Sequence, residues 1–189
     1  MVAQGVQSEF VMLVDDDILM GPRWTQNCLE AFSDQEGIYG AHGSVEKSLE
    51  KYADRTIYGS VRSQNQDTVE CDWIGQVYFL QPGMIAPMFA EPMLYGGKHA
   101  DDLNLCLRAW RYANIRSFVP PHPPGERDLW GNIDPSIGND AVASYAQKDF
   151  QRIRVETMLC EQKLGWEPLF ERNKKPHQDQ PDGVSVNES

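Results

Sequence analysis

The feature that most constrains this chain is the apolar run Phe10-Val11-Met12-Leu13-Val14, which ends abruptly in Asp15-Asp16-Asp17. A short continuous apolar run suits a strand buried on both faces. In open α/β sheets ligands gather at the carboxyl ends of strands, and hard divalent cations prefer carboxylate oxygens. Asp15 and Asp17, with one residue between them, can bring both carboxylates within reach of one cation and its bound phosphates. The same three acids also suit a solvated turn, where aspartate is common.

The segments that follow alternate between helix and strand signals. Pro22 stands at a helix first turn, and Trp24, Cys28, Leu29 and Phe32 recur at helical spacing. "GIYGAHGSV" returns to a strand pattern whose glycines suggest close backbone approach. Residues 46–66 are polar and weakly periodic, and no element is assigned there. "TVECDWIGQVYFL" is rich in β-branched and aromatic residues and predicts one strand or a bent pair, closed by Pro82-Gly83. Residues 101–113 place Leu103, Cys106, Leu107, Trp110 and Ala113 on one helical face. "IRSFVP" predicts a short strand, followed by a long Pro-rich loop. Helical periodicity resumes over 139–164.

With 189 residues and 41% hydrophobic composition, the chain can bury one sizeable core, and a single domain over residues 1–172 is expected. From Asn173 the composition turns polar, so 173–189 is predicted to be a disordered tail. A net charge of −11 offers no basic surface for a nucleic-acid backbone, which argues against a nucleic-acid partner. Cys28, Cys71, Cys106 and Cys160 are widely spaced, without the pairing of a zinc or redox motif, and are expected to be reduced. No apolar stretch approaches the roughly 20 residues needed to span a bilayer. The N-terminus also lacks a signal-peptide pattern, so a cytoplasmic location is the default expectation.

Asp101 and Asp102 open the predicted helix at 101–113. Carboxylates in a first helical turn are stabilised by the helix dipole, so taken alone the pair reads as ordinary capping before it reads as catalytic. Their weight changes when the acidic strand end, Asp72-Trp73-Ile74-Gly75 and the acidic helix start are taken in order.

In that order the chain resembles the GT-A glycosyltransferases, particularly their family 2 group, over about residues 5–125. "EFVMLVDDDILMGPRWTQNCLEAF" is similar to their strand, DxD motif and following helix. "CDWIGQVYFLQPGMI" is similar to the later strand that lines the donor-sugar pocket. "ADDLNLCLRAW" is similar to the segment written ED-x-D-L-x-L-R, with Asn104 where an acid often stands. The resemblance implies a Rossmann-related α/β domain, a mixed sheet flanked by helices, and a nucleotide-sugar donor with a sugar or glycan acceptor. It further implies Mn²⁺ or Mg²⁺ held by Asp17 and Asp15, with His122 as a third ligand. Asp16 is then the variable position between them and a substrate contact. Asp102 would be the general base of an inverting transfer, with Asp101 its near neighbour. Asp72, Trp73 and Gly75 would contact substrate, Trp73 by stacking, and Arg127 would reach the diphosphate. In that family a nucleotide-binding half precedes the DxD strand, so an N-terminally truncated GT-A domain is expected.

Two other functions fit parts of the pattern. Haloacid-dehalogenase-type phosphatases also end an apolar strand in DxD, which would make Asp15 the nucleophile and Asp17 the acid/base. Against that, Ile18 stands where Thr or Val is usual, and the Trp-Gly strand has no place. A non-catalytic sugar- or metal-binding remnant of a transferase would keep the acids without turnover.

Overall fold

The computed structural model describes residues 6–134, 136–137 and 143–174. They form six strands: β1 (Val11–Val14), β2 (Ile38–Glu46), β3 (Arg55–Tyr58), β4 (Val69–Cys71), β5 (Trp73–Leu80) and β6 (Ser117–Val119). Four α-helices accompany them: α1 (Trp24–Asp34), α2 (Asp101–Ala113), α3 (Phe150–Lys163) and the short α4 (Leu169–Arg172). All the strands belong to one mixed sheet ordered β1-β5-β2-β6-β4, with β3 also paired to β2. Only β2 and β6 run parallel.

Helices flank the sheet because its strands alternate apolar residues between two faces. On one face, Trp24, Cys28 and Ala31 of α1 pack with Tyr39, Ala41, Val77, Phe79 and Phe118. On the other, Ile38, Ile74 and Leu80 pack with Leu103 and Leu107 of α2 and Ile153 and Met158 of α3. Each such side chain fully removed from water contributes roughly 1.5–3 kcal/mol. In α2 burial extends beyond the expected face to Leu105 and Ala109, since the helix also packs on the apolar segment Pro82–Phe89. Cys28, Cys71 and Cys106 are buried free thiols, and Cys160 is a partly buried one. Among the described residues no helix is long and apolar enough to cross a membrane.

Several local expectations change. β1 pairs only with β5 at the sheet edge, and Leu13 and Val14 remain 37% and 43% exposed rather than buried on both faces. An apolar run of this length fits an edge strand with one covered face as well as a central strand, so periodicity alone could not separate them. β3 arises in the segment where no element was expected; all four of its residues are half-buried, which leaves no alternation to detect. Pro22 lies in the turn before α1, whose first residue is Trp24. α3 begins only at Phe150, and residues 138–142 and 175–189, parts of the expected helix and tail, lie outside the described residues.

The bent pair at 69–80 turns at Asp72. Its N–H donates to Ser44 O at 2.8 Å, Oδ2 accepts the Glu46 N–H at 2.8 Å, and Oδ1 accepts the Leu169 N–H at 2.7 Å. Gly43 lies beneath the bend, where a Cβ would come within 2.6 Å of both Cys71 Sγ and Val119 Cγ2. The close approach expected of the β2 glycines is therefore present, and it lets the chain pass from β4 beside β6 to β5 beside β2.

Candidate functional site

The Asp15 N–H donates to Gln76 O at 3.0 Å, so the end of β1 is fastened to β5 next to Gly75. Gln76 adopts φ 72°, a strained conformation for a non-glycine residue, and sits beside a register shift between β2 and β5. α2, packed against β5, presents Asp101 and Asp102 in its first turn to the same region. Asp15, Asp16, Asp17, Asp101 and Asp102 therefore line one cavity of about 730 Å³. Gly75 lies on its wall. A Cβ there would stand 3.8 Å from Asp102 Oδ2, 3.9 Å from His42 Nδ1 and 4.0 Å from the Tyr78 hydroxyl. The missing side chain leaves open space among three polar groups.

Charge is unevenly satisfied around this cavity. Burial, and then the charges of Asp101, Asp17, Asp102 and Asp16, push the Asp15 carboxyl up to about 6. Asp101 is also raised, by burial and by Asp102. Asp102 is fully engaged: Oδ1 accepts from Arg154 Nη1 and Oδ2 from Arg154 Nη2, both at 2.7 Å, and Oδ1 also accepts the Leu103 N–H at 2.8 Å. Burial works against the Arg154 charge, and Asp102 outweighs it, so the guanidinium is held firmly protonated. The Tyr78 hydroxyl is raised by burial and by Asp102, Asp101 and Asp15, and stays a neutral donor between the two acidic segments.

No protein-family model and no curated protein matches this chain.

Not every residue expected at the site is there. His122 is 1% exposed, its Nδ1 lies 2.8 Å from Pro120 O, and its Nε2 accepts the Gly131 N–H at 3.0 Å. Both ring nitrogens are spent on backbone, so His122 braces the Pro-rich loop against Trp24 and has no lone pair for a metal. Asp72 is 3% exposed and bound to the backbone amides of Glu46 and Leu169; it holds the sheet bend and α4 and does not line the cavity. Trp73 borders the cavity, but it is 3% exposed, its indole N–H donates to Glu46 Oε1 at 2.8 Å, and Arg154 lies 4.3 Å from the ring centroid. It supports Arg154 and has no free face on which a sugar could stack. Arg127 donates to Ile133 O at 3.0 Å away from the cavity.

The donor set suits a hard divalent ion at the strand end. Asp15, Asp16 and Asp17 could offer carboxylate oxygens, the charges of Asp16 and Asp17 are among those that raise Asp15, and the nearby cation Arg154 is taken up by Asp102. Among the described residues no three metal-capable side chains converge on one point. Mg²⁺-like ions need only one or two protein carboxylates and fill the remaining positions with water and phosphate oxygens.

Sequence reasoning missed Arg154, Tyr78, His42, Tyr52 and Arg55, all of which line the cavity. Arg154 left a trace, as a charge within the apolar stripe of α3, four residues after Phe150 and four before Met158. Tyr78 left none, because an aromatic in a strand is ordinary core.

Proposed function

We propose that this cavity carries out metal-assisted glycosyl transfer of the GT-A type, moving a sugar from a nucleotide-sugar donor to an acceptor hydroxyl with inversion. The observation that carries the reading is the convergence of the Asp15–Asp17 strand end and the Asp101–Asp102 helix start on one cavity beside Gly75. A cation bound by Asp17 and Asp15 would offset the negative charge that develops on the leaving diphosphate. The protein's own acids divide the remaining work. Asp101, raised by burial and by Asp102 and in no ion pair among the described residues, can take the proton of the attacking hydroxyl. Asp102 could do so only by giving up one arm of Arg154, and in the resting cavity its charge is fixed in place. Tyr78, a neutral phenol between the two segments, can donate a hydrogen bond to a substrate oxygen.

Calorimetric titration of Mn²⁺ with and without a nucleoside diphosphate tests the metal half of this reading. Weak Mn²⁺ binding that the nucleotide strengthens is expected in the wild type, with a loss of at least about tenfold in Asp17→Ala. Affinity unchanged by the substitution would remove Asp17 from the role. Nucleotide-independent binding would favour the non-catalytic remnant.

A further inference from the structure

Besides the acids Asp15–Asp17, Asp101 and Asp102, the cavity is lined by His42 of β2, by Tyr52 and by Arg55, a half-buried cation on β3, and these three make up its Arg55 end.

Arg55 is positioned without being neutralised. Its guanidinium carbon lies 3.6 Å from the centroid of the Tyr52 ring, and Nη1 donates to Tyr52 O. Tyr52 in turn is stacked on Trp73, with centroids 6.4 Å apart and planes 13° from parallel. Nε is buried with no partner, and among the described residues no carboxylate pairs with Arg55. Glu46 stands directly across from it in the β2–β3 ladder and the two charges act on each other, but its Oε1 is taken by the Trp73 indole and the Ser44 hydroxyl, and its Oε2, buried without a hydrogen-bond partner, makes no ion pair with Arg55. Arg154, the other cation at this end, is spent on Asp102. His42 adds no charge of its own, since burial and then Arg55 lower it to about 4. A pinned guanidinium in the cavity wall, with no carboxylate paired to it among the described residues, is suited to an oxyanion, which it can bind through charge-assisted hydrogen bonds.

We propose, building on the transferase reading above, that the Arg55 end is the acceptor subsite and that the acceptor carries an oxyanion, a carboxylate or phosphate on its sugar, held by Arg55. The acceptor hydroxyl then lies toward Asp101 and Asp102, on the opposite side of its ring from the group that Arg55 holds. A neutral sugar would leave Arg55 without a paired oxyanion and bind less tightly.

An NMR titration of the metal-free, nucleotide-free protein with methyl glucuronide, neutral methyl glucoside and a glucose phosphate tests this. In the wild type the anionic sugars should bind about tenfold or more tightly than the glucoside, as expected for a charge-assisted contact. Arg55→Gln should abolish the preference, and Arg55→Lys, which keeps the charge and loses the fork, should restore part of it. Whichever anion binds more tightly identifies the oxyanion as carboxylate or phosphate. Equal binding of charged and neutral sugars, no binding of any, or a preference that survives Arg55→Gln would overturn the proposal. Should Arg55→Gln fail to fold, a preference undiminished in Arg55→Lys overturns it equally. Metal and nucleotide are absent throughout, so this result and the Mn²⁺ titration can fail independently.

Discussion

In the seam between α2 and α3, Glu161 is 2% exposed at its side chain and meets Arg108 at 2.8 Å and Arg111 at 3.3 Å. Arg108 also donates to the carbonyls of Met88, Glu91 and Pro92, so each charge of this buried cluster has an opposite charge or carbonyl partners. In the cavity at the start of the same helix, Asp15 and Asp101 face other carboxylates and make no ion pair among the described residues, and both are pushed toward protonation. One chain thus treats its acids in two ways. Where the fold needs a charge it supplies partners, and where charge stays uncompensated a ligand can supply what is missing.

The largest effect that separates the two regions is expected in turnover. In a transfer-competent preparation, Asp101→Asn should depress turnover by about 10²- to 10⁴-fold while metal and nucleotide binding persist, since only a proton acceptor is lost. Asp102→Asn should depress turnover less but lower stability, because it leaves Arg154 buried without its counter-charge. The opposite order of turnover losses would return the proton-acceptor role to Asp102, with Arg154 released when donor binds.

Next in size is the seam itself. Glu161→Gln should destabilise the protein by about 3 kcal/mol, as expected when one partner of a buried ion pair is removed. Denaturant unfolding measures that loss, and Mn²⁺ affinity should stay as in the wild type. A Glu161→Gln protein that is fully stable yet fails to bind Mn²⁺ would erase the distinction between the two regions.

The smallest effect is a pH slope. Burial pushes Asp72 up to about 7 although the amides of Leu169 and Glu46 pull it down. A pKa raised by folding means that the folded chain holds the proton more tightly than the unfolded one. The resulting stabilisation is complete below the ordinary value of 3.8 and is lost as pH rises through about 7. Asp15 and Asp101 share that sign. Unfolding free energy should therefore decline between about pH 4 and about pH 7, and Asp72→Asn should flatten the decline. A slope of the opposite sign would contradict the burial argument for all three acids.

Much of the fold was legible because its signals are local. The helices at Trp24 and Asp101 and the strands at Ile38 and Ser117 each show their own periodicity or composition, and the bend at Asp72 was one of two readings of a single run. The edge position of β1 and the pairing of β3 were not legible, since both depend on which strand lies alongside. The same division runs through the site. Asp15, Asp17, Asp101, Asp102 and Gly75 stand out by residue type and position. The roles of Asp72, His122 and Trp73 depend on what surrounds them, and there the backbone amides, the Gly131 N–H and Glu46 take up the groups that looked available. Arg154 reaches Asp102 from 52 residues along the chain, a distance over which spacing carries no information.

The central claim is that the β1 strand end and the α2 helix start act as one site, and paramagnetic broadening by Mn²⁺ tests it directly. With substoichiometric Mn²⁺ and a nucleoside diphosphate, the amide signals of Asp15–Asp17, Gly75 and Asp101–Asp102 should broaden together, while those of Glu161 and Leu169 stay sharp. Broadening confined to the strand end, with Asp101 and Asp102 unaffected, would contradict a shared site.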